Sequence, residues 1–217
     1  MALLLCAGCD LVGVTAEAIT GQTDITPAYT GLAGQKVAIL VWADEGVSLD
    51  HPNVNADIAR ALLGKFQDGS DAKLKELKGT SFVDVADILR FQEAHPETQV
   101  DPPEEIAKQL PGSRLIYIEL DSLTLHPGQS TDLARGQALA DVKVIEVTGS
   151  QTKIAFQQNS VSALYPKDAP PEGAYGLSDE LVYGKTVDAL ADEIGNIFMT
   201  HPAPESVQQD EAAEQHE

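Results

Sequence analysis

The sequence predicts an α/β (α+β) domain in which three to four helices pack on a mixed sheet of about five strands. Three observations favour this class. Two continuous apolar runs of strand length lie at 36–43 and 114–120, helical periodicity lies between and after them, and a late pair of alternating strands is joined by a tight turn. The predicted order is βαβαβ, then a β-hairpin, then a C-terminal helix.

The first strand is predicted over Lys36–Ala43, because a run that is apolar on both faces is typical of a strand covered on both sides. A polar loop follows it. Asn53 or Asn55 then caps a helix whose apolar residues recur every four positions, at Ile58, Leu62 and Phe66. The alternation of strand and helix has begun by this point in the chain.

A short strand is predicted at 81–85, followed by a helix that starts at Asp84 or Ala86 and ends before Pro96. The next helix begins at Pro102 and Pro103, since proline suits the first turn of a helix. The third strand covers 114–120. These segments complete the βαβαβ part.

The hairpin consists of strands at 136–147 and 152–161. In the first of them Asp141 and Lys143 share one face, opposite the apolar face. The last helix starts at Ser178, and its buried stripe has the spacing of Val187, Leu190, Ile194 and Ile197.

Length and charge limit the classes of function. The chain has 217 residues, which fits one domain with extended ends. It carries 14 basic and 34 acidic side chains, a formal net charge of -20. Such an excess repels phosphate backbones and anionic lipid headgroups, so we expect no nucleic-acid binding.

No Gly-x-Ser-x-Gly elbow and no glycine-rich phosphate loop is present in the sequence. We therefore expect neither an enzyme nor a cofactor.

The N-terminus resembles a bacterial lipoprotein signal in residues 1–9, where an apolar run ends in Ala7-Gly8-Cys9. In such a signal the cysteine thiol receives a diacylglycerol, so Cys9 is the predicted lipid anchor to the membrane. Cys6 stands where Leu or Val is usual and no basic residue precedes the run, which indicates a start codon further upstream. Two alternatives remain: a chance apolar N-terminus, or a Cys-x-x-Cys redox pair.

Composition divides the rest of the chain into three parts. Residues 10–35, rich in Thr, Gly and Ala, are predicted to be a flexible tether, and residues 36–200 a single α/β domain. Residues 201–217, with five acids, are predicted to be a disordered tail. Together these parts predict a protein anchored at the periplasmic face of the bacterial envelope. A cytosolic protein with a misassigned start is the alternative.

A family resemblance follows from six segments in this order: KVAIL at 36–40, NADIARAL at 55–62, FVDV at 82–85, EIAKQL at 105–110, RLIYIEL at 114–120 and ADVKVIEVTG at 140–149. They resemble the envelope domain shared by the TolB amino-terminal region, curli-secretion lipoproteins and penicillin-binding-protein activator lipoproteins. The resemblance implies a tethered module that binds another envelope protein, such as a cell-wall synthase or a secretion or transport assembly, and performs no covalent chemistry.

Two groups of residues are candidates for a site. Trp42, Tyr165 and Tyr175 are predicted to bind a partner, because Trp and Tyr are favoured interface anchors, although Trp42 also fits a core position. The second group follows the first strand, at the edge where α/β sheets place ligand sites. It suggests an alternative function as a cation-dependent hydrolase, with the ligands or acid/base groups Asp44, Asp50, His51 and Asp57.

Overall fold

The computed structural model describes residues 24–68, 75–128 and 132–203 of the chain. Ile25–His201 make up one unit. Met1–Asp24 and Pro202–Glu217 make up a second unit, of which residues 24, 202 and 203 are described. In the first unit a mixed sheet of five strands carries helices on both faces. The predicted fold class is confirmed.

The strands and helices of the described ranges are numbered in chain order. The strands are β1 (Asp24–Ile25), β2 (Lys36–Ala43), β3 (Ser81–Phe82), β4 (Arg114–Thr124), β5 (Leu133–Ala134), β6 (Gly136–Thr148), β7 (Gln151–Tyr165), β8 (Ala174–Tyr175) and β9 (His201–Pro202). The α-helices are α1 (Glu45–Asp50), α2 (Val54–Gln67), α3 (Val85–Ala94), α4 (Pro103–Ala107) and α5 (Asp179–Asn196), and Pro96–Val100 form a 3-10 turn.

The strand order of the five-stranded sheet is β3-β2-β4-β6-β7. β2 runs parallel to β3 and β4, with Val37 opposite Arg114. β4, β6 and β7 are antiparallel neighbours. Gly149 has a φ of 61° in the tight turn between β6 and β7, a conformation that glycine adopts without a steric cost. The helices between strands thus belong to the parallel half of the sheet, as predicted.

Side-chain alternation divides β2 between two cores. Val37, Ile39 and Val41 lie in the larger core with α2 and α5, on what we name the α2/α5 face. Ala38 and Leu40 lie in a smaller core with α3 and α4, on the α3/α4 face. Both faces of the strand are therefore buried, which explains why its sequence is continuously apolar.

The α2/α5 face holds most of the apolar side chains. The stripe predicted for α2 is buried there, and Phe66 stacks on Phe82 with ring centroids 5.3 Å apart and meets Phe198 edge-on at 5.8 Å. The stripe predicted for the last helix is buried opposite it. Burying one large apolar side chain contributes about 1.5–3 kcal/mol, so these two stripes fix both helices on the sheet.

Helix ends follow the sequence only in part. Asp84 Oδ1 accepts a hydrogen bond from the N–H of Ala86 at 2.8 Å and begins α3. Asn53 precedes α2, but its side chain makes no capping bond. Helix α1 lies within a segment that we predicted to be a loop. It has six residues and one buried side chain, Val47, which is too short for a periodic pattern to be visible in the sequence.

Several elements differ in length from the prediction. β3 has two residues, while β4 and β7 both extend beyond the predicted ends. The C-terminal extension of β7 covers residues 162–165, in which Ala163 is buried and Leu164 and Tyr165 are half-buried. Four residues directly before a proline-rich loop are too few for a periodic pattern to be visible in the sequence.

Packed structure begins before Lys36. Residues 10–23 of the predicted tether lie outside the described residues, but Leu32 is buried in the α2/α5 core. The ring of Tyr29 lies 5.7 Å from that of Phe156 and 6.2 Å from that of Phe198, measured between centroids. The last part of the predicted tether therefore belongs to the domain. Of the predicted acidic tail, residues 204–217 lie outside the described residues.

Candidate functional site

A cleft forms where β2 ends beside β4, and there Ala43 lies opposite Leu120 in the parallel register. The N–H of Asp44 donates to the carbonyl oxygen of Leu120 at 2.9 Å and continues the pairing by one residue. The cleft has a volume of about 240 Å³, and we name it the acidic cleft. Its lining residues are Trp42, Ala43, Asp44, Gln99, Tyr117, Glu119, Leu120 and Asp121.

Three carboxylates line the acidic cleft: Asp44, Glu119 and Asp121. Among its described lining residues there is no lysine or arginine. Partial burial, and then the negative charges of Asp141, Glu119 and Asp44, raise the pKa of Asp121, while Lys143 acts in the opposite direction. The carboxylates therefore repel one another, and a bound cation would relieve that repulsion.

An aromatic ring lies beside these carboxylates. Tyr117 is buried on the α3/α4 face, and burial, followed by the charge of Glu119, raises the pKa of its phenol. Lys143 Nζ lies 5.7 Å from the centroid of the Tyr117 ring and 2.6 Å from Glu119 Oε2. An ammonium group is thus held between a ring face and a carboxylate, an arrangement that stabilises cations.

Trp42 belongs to two neighbouring clefts. Its half-buried side chain lines the acidic cleft and also a second cleft of about 440 Å³, which is bordered by residues of α2 and α3. Its indole Nε1 is buried and has no hydrogen-bond partner among the described residues. The ring also packs against the smaller core. Trp42 is therefore part core and part surface.

The four residues of the alternative cation site do not come together at one point, although Asp57 and His51 both contact Tyr183. Asp57 Oδ2 accepts a hydrogen bond from Tyr183 OH at 2.7 Å, and the His51 ring stacks on the Tyr183 ring with centroids 4.8 Å apart. Asp44 caps α1 and lines the acidic cleft, whereas Asp50 is the last residue of α1. Within ranges 24–68, 75–128 and 132–203, no group of three or more His, Cys, Asp or Glu side chains is arranged to hold a metal ion.

The sequence analysis missed Glu119 and Asp121 as site residues. Both follow the apolar centre of β4 on alternate positions, so both point to the α3/α4 face. Asp141 and Lys143, predicted to share one face of β6, lie opposite Glu119 and Tyr117 in the register. The signal in the sequence that could have identified them is a pair of acids at alternate positions directly after the apolar centre of a buried strand.

The two tyrosines predicted to bind a partner lie elsewhere. Tyr165 is the half-buried last residue of β7, opposite Gly136. Tyr175 lies in β8, opposite Leu133, and 78% of its surface is exposed. Neither tyrosine lines the acidic cleft. Their role in partner binding stays a prediction.

The predicted lipid anchor, Cys9, lies outside the described residues, so its lipidation also stays a prediction. In the described part of the chain, none of the helices has both the length and the apolar character needed to cross a membrane.

Comparison with known proteins gives matches only among solved structures. No family model matches the sequence, and no curated protein matches it. The chain is similar to the hypothetical protein CT253 from Chlamydia trachomatis, with 14% identity, a TM-score of 0.46, and coverage of 76% of this chain and 98% of that one. It is similar to the PelC dodecamer from Paraburkholderia phytofirmans, with 7% identity, a TM-score of 0.42, and coverage of 81% and 96%.

A third similar structure is the lipoprotein GNA1162 from Neisseria meningitidis, with 13% identity, a TM-score of 0.39, and coverage of 74% of this chain and 98% of that one. Identities and TM-scores this low carry no conclusion about activity or partners. The resemblance to the envelope domain shared by the TolB amino-terminal region, curli-secretion lipoproteins and penicillin-binding-protein activator lipoproteins therefore stays a prediction.

Proposed function

We propose that the protein is a bacterial envelope lipoprotein that acts as a non-enzymatic protein-binding module, and that its acidic cleft binds a basic segment of another envelope protein. The observation that supports this binding most directly is the position of Lys143, whose ammonium group lies between the Tyr117 ring and the Glu119 carboxylate. A lysine or arginine of a partner would find the same two kinds of group in the cleft, in Trp42 and Asp121.

Charge favours a basic partner at long range as well. The net charge of -20 attracts a cationic segment before contact, and this attraction raises the rate of association at low ionic strength. Salt screens the attraction over about 8–10 Å at physiological ionic strength. Binding through the acidic cleft should therefore weaken as salt is added.

Trp42 provides the measurement, because it is the only tryptophan in the chain and lines the cleft. We would titrate the full chain with pentalysine and pentaarginine peptides and follow tryptophan fluorescence, with pentaglutamate as the control peptide. The basic peptides should give a saturable change that is lost at high salt, and pentaglutamate should give none. A basic peptide that binds without changing the Trp42 signal would place binding away from the cleft and overturn this part of the proposal.

Charge-neutralising variants then separate the cleft from the general acidity of the chain. Asp121→Asn combined with Glu119→Gln removes two negative charges from the cleft. Asp168→Asn combined with Glu172→Gln removes two from exposed positions in the loop before β8. An exposed ion pair contributes up to about 1 kcal/mol, so the cleft variant should bind pentalysine about fivefold more weakly. Equal weakening by both variants would contradict recognition by the cleft.

Lipidation at Cys9 is tested by a separate experiment. Ala7-Gly8-Cys9 supports an acylated N-terminus at Cys9. The gene would be expressed with its upstream region, and the intact mass measured in the membrane and soluble fractions. A membrane-bound form whose mass starts at acylated Cys9 would support the proposal. An unmodified chain found only in the cytosol would overturn the lipoprotein assignment without affecting the peptide titration.

A further inference from the structure

β7 is an open edge of the sheet. It pairs with β6 on one side, and no strand of the described ranges lies on its other side. Its 15 residues extend over about 50 Å at 3.3 Å per residue. Folded proteins usually keep edge strands short or place charges on them, since outward-pointing N–H and C=O groups can pair with another strand. A long open edge therefore calls for a specific explanation.

The charge of β7 differs from that of the rest of the molecule. It contains no Asp or Glu, although the chain has 34 acids among 217 residues. Its one charged residue, Lys153, already pairs with Glu146 Oε2 at 2.9 Å. The neighbouring strands β4 and β6 carry two acids each, which are Glu119, Asp121, Asp141 and Glu146.

This distribution of charge favours one kind of occupant for the edge. Two copies of a chain with a net charge of -20 repel each other over most of their surfaces. An edge strand without acids lets identical chains approach where that repulsion is weakest. A cationic partner would have no preference for such a strand, because its best contacts lie on the acidic surface.

The shape of β7 limits how far pairing can extend. The register with β6 shifts twice, and at the second shift Ser160 has a φ of 57° and its N–H donates to Asp141 Oδ1 at 2.8 Å. These bulges divide the strand into three stretches. Ile154 lies in the first stretch with 42% of its surface exposed, and Ser162 is exposed in the last. Bulges interrupt the regular hydrogen-bonding edge along which further strands could add. They therefore favour a closed pair of chains over an open fibre.

We propose that β7 is a self-association edge, at which two copies of the chain pair antiparallel about a two-fold axis and join their sheets into one of ten strands. Each copy contributes the same edge, so the pair is closed and no β7 edge is left free. The unpaired backbone groups of both strands become hydrogen-bonded, and Ile154 loses solvent exposure. This inference goes beyond the proposed function and does not depend on what the acidic cleft binds.

The direct test is the mass of the full chain by sedimentation equilibrium over a range of concentrations, in a reductant that prevents disulfides between Cys6 or Cys9 of different molecules. We expect a monomer–dimer equilibrium whose dimer becomes tighter when NaCl rises from about 0.05 to about 0.5 M, because salt screens the repulsion between the two acidic bodies. A monomer at every concentration and salt level would overturn the proposal.

Variants identify the surface. Ile154→Glu and Ser162→Asp each add an acid to β7, one in its first stretch and one in its last, so the paired edges of a dimer would carry two more negative charges. Each variant should raise the dimer dissociation constant at least about tenfold. Leu181→Glu is the matched control, since 43% of Leu181 is exposed on α5 and the change in charge is the same. Circular dichroism would verify that all three variants fold. A dimer that the two β7 variants leave intact, or that the control weakens equally, would overturn the assignment to β7.

Discussion

The hydroxyl of Tyr183 on α5 donates a 2.7 Å hydrogen bond to Asp57 Oδ2 on α2. Burial, and then the bond to Asp57, raise the pKa of the Tyr183 phenol. The His51 ring stacks on the same ring, and Arg60 Nη1 lies 3.6 Å from Asp57 Oδ1. Two residues of the alternative cation site, His51 and Asp57, thus both contact one tyrosine that joins two helices.

Removing this hydroxyl should destabilise the fold. Tyr183→Phe keeps the ring that stacks on His51 and leaves Asp57 without its donor. We expect a loss of about 1–2 kcal/mol in the free energy of unfolding, measured by urea denaturation at neutral pH. Tyr175→Phe is the control, because Tyr175 is 78% exposed and its change should have no effect. Equal stability of the two variants would contradict a structural role for the bond.

The sequence predicted most of the sheet because its strands are buried on both faces or alternate regularly. The apolar run of β2 and the alternation of β6 each depend only on local spacing, and both were found at nearly correct bounds. Helix α1 and the extension of β7 were not found. Both are too short for a period to be visible: α1 has six residues, and the extension of β7 beyond the predicted end covers residues 162–165.

The acidic cleft was predictable only in part. Asp44 and Trp42 were singled out because they lie where a parallel strand ends. Glu119 and Asp121 lie beside them because β2 pairs with β4, and this pairing connects residues that are 77 positions apart in the chain, such as Ala43 and Leu120. Local sequence patterns contain no information about such a register. The same reason explains why the sequence did not reveal the hydrogen bond between Asp57 and Tyr183, which lies on the last helix.

A close contact at Gly136 gives a second prediction. A Cβ atom at this first residue of β6 would overlap Thr186 Oγ1 and lie 2.9 Å from Thr186 Cβ. Thr186 is fully buried, and its hydroxyl donates to the carbonyl oxygen of Val182 at 2.7 Å, so it has little freedom to move. Gly136→Ala should cost about 2 kcal/mol in urea denaturation through overpacking of α5 against the sheet.

Two further variants verify that cause. Thr186→Ala in the Gly136→Ala background should recover part of the loss, so the two changes should be non-additive in a double-mutant cycle. Gly64→Ala is the control, because a Cβ there meets nothing within 4 Å and alanine is the better helix former by about 0.5–1 kcal/mol. Additive effects at Gly136 and Thr186 would show that the contact is not the source of the loss.

Glu146 gives a pH-dependent prediction. Its bond from Lys153, and then the nearby charge of Arg114, lower the pKa of the Glu146 carboxyl below its usual value. Because the pKa is lowered in the folded state, the ionised carboxylate stabilises the fold at pH values above the usual pKa of glutamate. This stabilisation is lost as the pH falls through the folded-state pKa. Glu146→Gln should therefore cost about 2 kcal/mol at pH 7.

The difference between wild type and Glu146→Gln should shrink as the pH of the unfolding experiment falls below about 4.5. Glu97→Gln is a suitable control, because the pKa of Glu97 is also lowered but its main cause is the residue's own backbone N–H, and its side chain is exposed. A Glu146→Gln deficit that stays constant between pH 7 and pH 3 would mean that lost packing, and not lost charge, is responsible.

Ionisation should have the opposite effect on stability at Asp121 in the acidic cleft. Partial burial and the charges of three neighbouring acids raise the pKa of Asp121. Ionised Asp121 therefore destabilises the fold at pH values above its folded-state pKa. This destabilisation disappears when the pH falls below the usual pKa of aspartate. Asp121→Asn should therefore stabilise the protein at pH 7. Because the side chain is exposed and solvent screens it, we expect a gain of only about 0.5 kcal/mol.

Thermal unfolding at several pH values and salt concentrations would test this expectation. The Asp121→Asn midpoint should exceed that of wild type at neutral pH and low salt, and the difference should vanish below about pH 4. High salt should reduce the difference without abolishing it, because salt screens the neighbouring charges but not the effect of burial. Asp168→Asn, at an exposed loop position outside the cleft, accounts for the general effect of removing one acid from so acidic a chain. If Asp168→Asn stabilises the protein as much, the repulsion is a property of the whole surface. If Asp121→Asn alone does so, the repulsion is concentrated in the cleft, where a cationic partner would relieve it on binding.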